Sequence, residues 1–405
     1  MKYRVLSVGI LKIGKVMLSI SNNQVQMSFV RLLAVCGVTC LSIGFVFEQA
    51  GQKQAGVLLL GILLGIVLFY TTFSFSNGWR RLVAEKKSLW FRAQMLMIIV
   101  ASLLMLPALG EGSLWGGSVR GYIRPLGLSL VVGAFIFGVG MQLAGSCASG
   151  ALYNAGGGRL KMFIVIIMFA VGALVGTAHY EWWMEQINFE PVNFLTLYGV
   201  WGAVILNLVI AGFLYYIFRL IEMRKYDRVE ALWGKQASST GRLLLGGALA
   251  LAVLNFITLG YIGRPWSVAN AFPLWGAKTT AFLGLELDLD FWAYWIEPAA
   301  EQSLSGGLLD HVGSVMNLGV IGGALAISAV TVQFKVNYKV GFSEILTISA
   351  GGLMLGYGAI IGFGCNVGAF FSGVVSGSLH GWVWFLAALL GTTVVVMFKK
   401  AIDSA

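Results

Sequence analysis

The 44 charged side chains of this 405-residue chain fall in short clusters, and the runs between them carry no charge. These runs are 32–47, 54–79, 93–110, 125–158, 162–180, 191–218, 243–263, 311–334 and 345–398. About 20 apolar residues in a helix cross the ~30 Å hydrocarbon layer of a bilayer, so most runs hold one crossing. The last is 54 residues long and must hold two, with a break expected near Ser372–Ser378. The expected fold is an all-α polytopic membrane protein of about ten spans. The run 32–47 is short for a full crossing, and Gly145–Gly158 is too rich in glycine for an ordinary helix. Charged residues make up 11% of the chain against about 25% in soluble domains, which excludes a soluble enzyme with a membrane tail. The chain has 54 Gly and only 6 Pro, a balance that fits closely packed membrane helices rather than disorder.

Orientation follows from the basic residues, which collect on the cytoplasmic side of membrane proteins. With the N-terminus inside, the inner segments are 1–31, 80–92, 159–161, 219–242, 335–344 and 399–405. They hold 22 of the 27 Lys and Arg, while the outer segments hold Lys53, Arg120, Arg124, Arg264 and Lys278. The net charge of +10 is thus a topology signal and not a nucleic-acid footprint. The expected organisation is a cytoplasmic basic amphipathic segment (1–31), a first transmembrane repeat (32–218), a cytoplasmic basic linker (219–242), a second repeat (243–400) and a cytoplasmic tail (401–405). Asn22, Asn23, Gln24 and Gln26 interrupt the first apolar run, so it does not read as a cleavable signal peptide.

Two stretches resemble each other. Residues 133–153 read GAFIFGVGMQLAGSCASGALY and residues 351–371 read GGLMLGYGAIIGFGCNVGAFF. At a constant offset of 218, Gly133, Gly138, Gly140, Cys147, Gly150 and Ala151 fall on Gly351, Gly356, Gly358, Cys365, Gly368 and Ala369. The second copy comes five spans after the first, an odd step, so the copies run in opposite directions. Inverted repeats place their equivalent residues near a shared axis at mid-membrane, often where helices are interrupted. The glycine-rich segments around Cys147 and Cys365 read as such interruptions, which membranes tolerate only where protein buries them or they line a cavity.

Neither cysteine has a carboxylate, Lys, Arg or His beside it in sequence. The polar groups there are Ser146, Cys147, Ser149, Asn154, Cys365, Asn366 and Ser372, with Gly145 and Gly364 giving the chain freedom to approach a solute. Two thiols on a mid-membrane path suit a soft, polarisable solute, and backbone N–H groups at half-helix starts suit its negative charge. The plainer reading, two small buried hydrophobes, stays open. A catalytic thiol needs a neighbouring cation, His or helix N-terminus to lower its pKa; with no adjacent cation or His, the chain is not expected to be an enzyme, although a membrane-embedded sulfurtransferase remains an alternative. No Walker loop, CxxC motif or metal spacing occurs, so no cofactor or metal is expected. Cys36 and Cys40 read as packing residues, His179 and His311 as boundary histidines, and His380 as a residue near the outer face, with lining of the mouth as its less favoured reading. Arg120, Arg124 and Arg264 either form an anion-attracting outer vestibule or snorkel to headgroups. Arg264 opens a segment, with Pro265, Trp266, Ser267 and Asn270, that reads as re-entrant. Trp182, Trp183, Trp292, Trp295, Trp382 and Trp384 read as interfacial anchors.

The pair GSCASG and GFGCNVGAFFSG resembles the YeeE/YedE family of bacterial inner-membrane proteins, and GFGCNVGAFFSGVVSGSLHGWVWF (362–385) is especially similar to its YedE branch. The resemblance implies uptake of a small sulfur-containing anion, most of all thiosulfate, with import of a selenium compound on the same scaffold as the alternative. It also implies an hourglass whose narrow point is lined by cysteines that pass the anion between thiols, a bacterial plasma-membrane location, and a small cytoplasmic sulfur-carrier protein as a possible partner. Cys147 and Cys365 match two of the family's cysteines. The family's first cysteine falls in Thr72-Phe73-Ser74-Phe75-Ser76-Asn77-Gly78-Trp79-Arg80, where Ser74 stands at the cysteine position. A hydroxyl is a harder donor than a thiol, so Ser74 is the departure most expected to alter selectivity.

Overall fold

The computed structural model describes residues 3–285, 287–331, 333–334 and 340–403, with backbone only for 3–29 and 402–403. The expected amphipathic character of 1–31 therefore rests mostly on side chains outside the described residues. Helix α1 (Tyr3–Tyr70) is broken by Gly51 at φ 82° and ψ 177°, a conformation open to glycine. Then come α2 (Phe75–Glu85), α3 (Leu89–Glu111), α4 (Leu128–Leu143), α5 (Ala148–Gly156), α6 (Lys161–Ala178), α7 (Tyr180–Met184) and α8 (Phe194–Tyr226). The second half holds α9 (Ser239–Ile262), α10 (Ala271–Phe282), α11 (Ala293–Ile296), α12 (Pro298–Ser305), α13 (Val312–Val330) and α14 (Phe342–Ile361). It closes with a wide-turned segment, Asn366–Ser372, that runs on into α15 (Gly373–Val375), and with α16 (Leu379–Asp403). Two-residue strands β1 (Ser113–Leu114) with β2 (Gly117–Ser118), and β3 (Leu126–Gly127) with β4 (Asn188–Phe189), are the only ladders among the described residues.

Nine helical segments among the described residues are long and apolar enough to cross a membrane. The first, Val30–Glu85, is 56 residues long, about 84 Å as one helix and too long for a single crossing. The Gly51 break and the turn at 71–74 divide it. Before the break, residues 30–50 are exposed nearly all round, and Val46 is the single buried residue. Cys36 and Cys40 are exposed there, which corrects the packing expected of them: the helix that carries them lies outside the bundle. Helix α8 runs eight residues past the uncharged stretch, because its charged last turn, with Arg224 and Lys225, continues the helix beyond its apolar run.

The contacts between helices come in reciprocal pairs. Helix α14 packs on α4; α6 packs on α14 as α16 packs on α4; α13 meets α5 and α1 as α3 meets α15 and α9; and α10 lies against α6 as α2 lies against α16. A two-fold relation between the halves requires this reciprocity. Glycines allow the tightest crossings. Gly61 and Gly65 of α1 face Gly319 and Gly323 of α13, and a Cβ on any of the four would overlap backbone of the other helix. This is the small-xxx-small interface of membrane helices, where close backbone approach replaces a hydrophobic driving force.

The core of the bundle is aromatic. Trp79 packs edge-on against Phe370 and Phe385 at ring separations of 6.0 and 5.3 Å, and Trp384 stands 5.3 Å from Phe137. Trp382, Trp384 and Trp295 are 5%, 0% and 2% exposed, so they are not interfacial anchors; Trp182 is 56% exposed. Hydropathy cannot distinguish a helix end facing lipid from one covered by other segments, and the segment 362–378 covers the start of α16. Two charges, one of them the Arg92 counted toward the topology, are also buried. Glu222 accepts from Ser88 N–H at 2.8 Å, from Ser88 Oγ and from Glu230 N–H, with the Arg92 guanidinium 3.7 Å away. These bonds offset the cost of burying the pair and fasten α3, α8 and the linker together.

Candidate functional site

The two cysteine loops follow similar backbone paths, although Gly364 lies at φ 140° where its counterpart Ser146 has no positive φ. Helix α4 ends at Leu143, the chain turns through Gly145 at φ 68°, and Cys147 caps α5 in extended geometry (φ −93°, ψ −179°). Helix α14 ends at Ile361, the chain turns through Phe363 at φ 61°, and Cys365 caps the following segment at φ −119° and ψ −173°. Gly145 and Phe363 are equivalent at the repeat offset. Glycine takes the left-handed conformation freely, whereas an aromatic residue there is strained. Tyr122 holds the strained turn by donating its hydroxyl to the Phe363 carbonyl at 2.7 Å.

Both thiols are buried, at 2% and 1% exposure, and they lie near enough to influence each other electrostatically. Backbone N–H groups of Gly150 and Ser76 are turned toward the Cys147 sulfur, and those of Val367, Gly368 and Ala269 toward the Cys365 sulfur. Ser76 lies in the first turn of α2 and Ala269 just before α10, so each thiol receives N–H groups from its own loop and from a half-helix start. Ser149 Oγ is 3.5 Å from the Cys147 sulfur. The Asn366 side chain is 1% exposed, and both its amide atoms lack a hydrogen-bond partner among the described residues.

Two vestibules approach these loops from opposite ends of the bundle. Helices α13 and α14 each run from one to the other, and 20 residues of helix span about 30 Å. One vestibule has a volume of about 380 Å³ and collects Arg120, Arg124 and Arg264 with Tyr122, Tyr180, Tyr294 and Asn270. Its floor reaches Ser267, Ala269, Phe363 and Gly364, beside Cys365. The other, about 760 Å³, is lined by Arg80, Arg159 and Lys161 with Asn77, Tyr153 and Asn154, and reaches Ser74, Gly145 and Ser146, beside Cys147. Its described lining contains no carboxylate, and that of the first contains one, Glu297. Lys161 is paired with Glu344 at 2.8 Å, so the fixed positive charge offered to an anion comes from Arg80 and Arg159 in this vestibule and from the three arginines in the first.

The Arg264 vestibule has a distinct chemistry. The Arg124 guanidinium lies 5.0 Å from the Tyr122 ring centre, and the Tyr122 phenol beside it raises its pKa further. Burial raises the pKa of Tyr180 and Tyr294, so both stay neutral donors at physiological pH. His311 caps α13 by accepting the Ser314 N–H at Nδ1, at 3.2 Å. Burial, reinforced by Arg264, pushes its pKa down to about 4. The imidazole therefore enters the vestibule uncharged.

The structure brings Arg120, Arg124 and Arg264 together, and it puts Ser74 with Ser146 and Gly145 in the other vestibule. Ser74 accepts the Asn77 N–H at 3.2 Å as the cap of α2. His380 takes the other of its two readings. It is fully buried, with Nδ1 2.7 Å from Ser378 Oγ, and does not line the mouth, because Tyr122 and the 362–378 segment cover it. The sequence reading missed Tyr122, Tyr180, Tyr294, Arg80, Arg159 and Lys161 as vestibule residues. The basic three had been counted only toward topology, and no spacing rule links the tyrosines. No group of three metal-ligating side chains occurs among the described residues.

The sulphur transport family model matches residues 70–394, which include both cysteine loops and every helix from α2 to α15. The chain belongs to the sulphur transport family. It is 26% identical over 359 residues to the thiosulfate transporter TsuA of Spirochaeta thermophila, covering 85% of this chain and 98% of that protein. It is 25% identical to the thiosulfate transporter TsuA of Escherichia coli, over 82% of this chain and 91% of the relative. A shorter match, 30% over 144 residues, joins it to the probable transporter YedE of Salmonella typhimurium, covering 36% of this chain and 34% of the relative. The chain is thus a multi-pass membrane transporter for a sulfur compound.

Proposed function

We propose that this chain carries thiosulfate inward across the bacterial plasma membrane, with both termini in the cytoplasm. The anion enters the Arg264 vestibule, passes the Cys365 and Cys147 loops in turn, and leaves through the Arg159 vestibule. The observation that carries this reading is the pairing of the two vestibules with the two thiols: each basic cavity ends on one loop, and each loop turns backbone N–H groups toward its sulfur. A thiosulfate ion has oxygens for the N–H and hydroxyl donors and one soft sulfur for the thiols. The constriction is the cysteine-lined layer between the two floors. The two long matches to thiosulfate transporters support the substrate, and the clustering of basic residues supports the direction of insertion. Hand-over to a small cytoplasmic sulfur-carrier protein fits an exit on the basic side.

The test is thiosulfate-dependent growth of a sulfur-auxotrophic bacterial host expressing the chain, with Cys147→Ala, Cys365→Ala and Ser74→Cys beside the wild type. Growth with the wild type, and its loss in each alanine variant that still reaches the membrane, is the expected result. An active Ser74→Cys shows that a serine is tolerated at that position rather than required. A well-expressed wild type that fails on thiosulfate overturns the substrate, and selenium compounds then become the first to try.

A further inference from the structure

The loop between α9 and α10 is fastened at three points. Asn255 Oδ1 accepts the Trp266 N–H at 2.7 Å, Ser372 Oγ donates to the Trp266 carbonyl at 2.7 Å, and Asn317 Nδ2 donates to the Val268 carbonyl at 3.0 Å. The anchors come from α9, from the segment after Cys365 and from α13, and all three are fully buried. None of them uses Ser267, the residue at the centre of the loop. Its Oγ is shielded from bulk solvent and has no hydrogen-bond partner among the described residues. Ser267 lines the Arg264 vestibule, and its Oγ stands 2.8 Å from where a Cβ on Gly368 would be. Gly368 is the third residue after Cys365, and its N–H faces that thiol.

A buried hydroxyl left without a partner costs about 1–3 kcal/mol. The clamp holds Ser267 at that cost, on the floor of a cavity, within reach of the thiol loop. The other half does the opposite. Thr71, Ser74, Ser76, Ser146 and Ser149 all have hydrogen-bond partners within the protein. The side chain of Asn366, next to Cys365, is unpartnered as well, so the unused hydrogen-bonding groups gather on one side of the pathway.

We propose that Ser267 is a specificity-determining residue: its hydroxyl donates to an oxygen of the tetrahedral oxyanion whose terminal sulfur lies against Cys365. This rests on the reading of the chain as a sulfur-oxyanion permease. The anion therefore pauses on the Cys365 side, where donors are unused, and not on the Cys147 side. Sulfate, which keeps the oxygens and lacks the terminal sulfur, competes for this hydroxyl.

The experiment is initial-rate uptake of radiolabelled thiosulfate into proteoliposomes holding the full chain, over a range of thiosulfate concentrations, with and without sulfate. Wild type, Ser267→Ala and Ser267→Thr are compared. In Ser267→Ala the half-saturating concentration rises about tenfold, as expected for losing a hydrogen bond to a charged group, and sulfate inhibition weakens in the same proportion. Ser267→Thr, which keeps the hydroxyl, restores both. The proposal is overturned if Ser267→Ala lowers only the maximal rate, or changes neither parameter. No uptake by reconstituted wild type overturns the permease reading itself, whereas normal wild-type uptake with an unaltered Ser267→Ala overturns the proposal alone.

Discussion

The Cys147 and Cys365 loops follow similar backbone paths and differ in chemistry. Around Cys147 the turn is a glycine, the hydroxyls are engaged, and the vestibule below holds Arg80, Arg159 and a Lys161 that is paired with Glu344. Around Cys365 the turn is a phenylalanine pinned by Tyr122, a hydroxyl and an amide are unpartnered, and tyrosines share the vestibule with the arginines. Repetition conserves the path of the chain, because both copies must break a helix in the bundle and turn N–H groups toward a thiol. It does not conserve the side chains around that path. On the proposed uptake reading, the Cys365 half selects and the Cys147 half releases.

Four measurements break or sharpen this contrast. The largest effect is expected at the thiols. Cys365→Ala and Cys147→Ala each remove a contact to the anion of about 1.5–3 kcal/mol and lower thiosulfate uptake about ten- to a hundredfold. If the halves differ as described, Cys365→Ala also raises the half-saturating concentration, while Cys147→Ala acts on the maximal rate. Next is the turn itself. Gly145→Ala forces a left-handed alanine and destabilises the protein by about 1–2 kcal/mol, visible as a lower melting temperature in detergent; an unchanged melting temperature breaks the equivalence of Gly145 and Phe363. Smaller still is Tyr122→Phe. It removes the bond that pins the Phe363 turn and costs about 1 kcal/mol, with no counterpart in the Cys147 half.

The smallest effect is one of pH. His311 is neutral in the folded protein down to about pH 4, but in the unfolded chain it protonates near 6.5. The unfolded state therefore takes up the extra proton between about pH 4 and 6.5. The contribution of His311 to stability is complete above 6.5 and declines as pH falls through that window. His311→Asn keeps a capping side chain without the titration, so its melting temperature falls less than that of the wild type between pH 6.5 and 4. Equal slopes for the two proteins sink the assignment.

Much of the fold is readable in the sequence, because crossing a bilayer leaves a one-dimensional record. Uncharged length marks the crossings, and glycine and cysteine at a fixed offset mark the repeat. The reading fails where one-dimensional signals are ambiguous. A tryptophan beside an apolar run can face lipid, as Trp182 does, or fill a core, as Trp384 does. A histidine at a helix start can line a mouth or lie sealed beneath Tyr122, as His380 does. Arg92 and Glu222 look like surface charges until α3 and α8 bury them together.

The sequence by itself determined that the chain is a helical membrane protein with two related cysteine motifs, since hydrophobic length and repeat offset are properties of a string. Only the tertiary structure decided which residues meet at those motifs. Arg264 joins Tyr122, Tyr180 and Tyr294 from three other parts of the chain, Arg80 joins Arg159, and Ser267 stands over Gly368 a hundred residues on. The physical reason is that a hydrogen-bond donor acts over about 3 Å, and no spacing along the chain records which distant groups packing will bring within that distance.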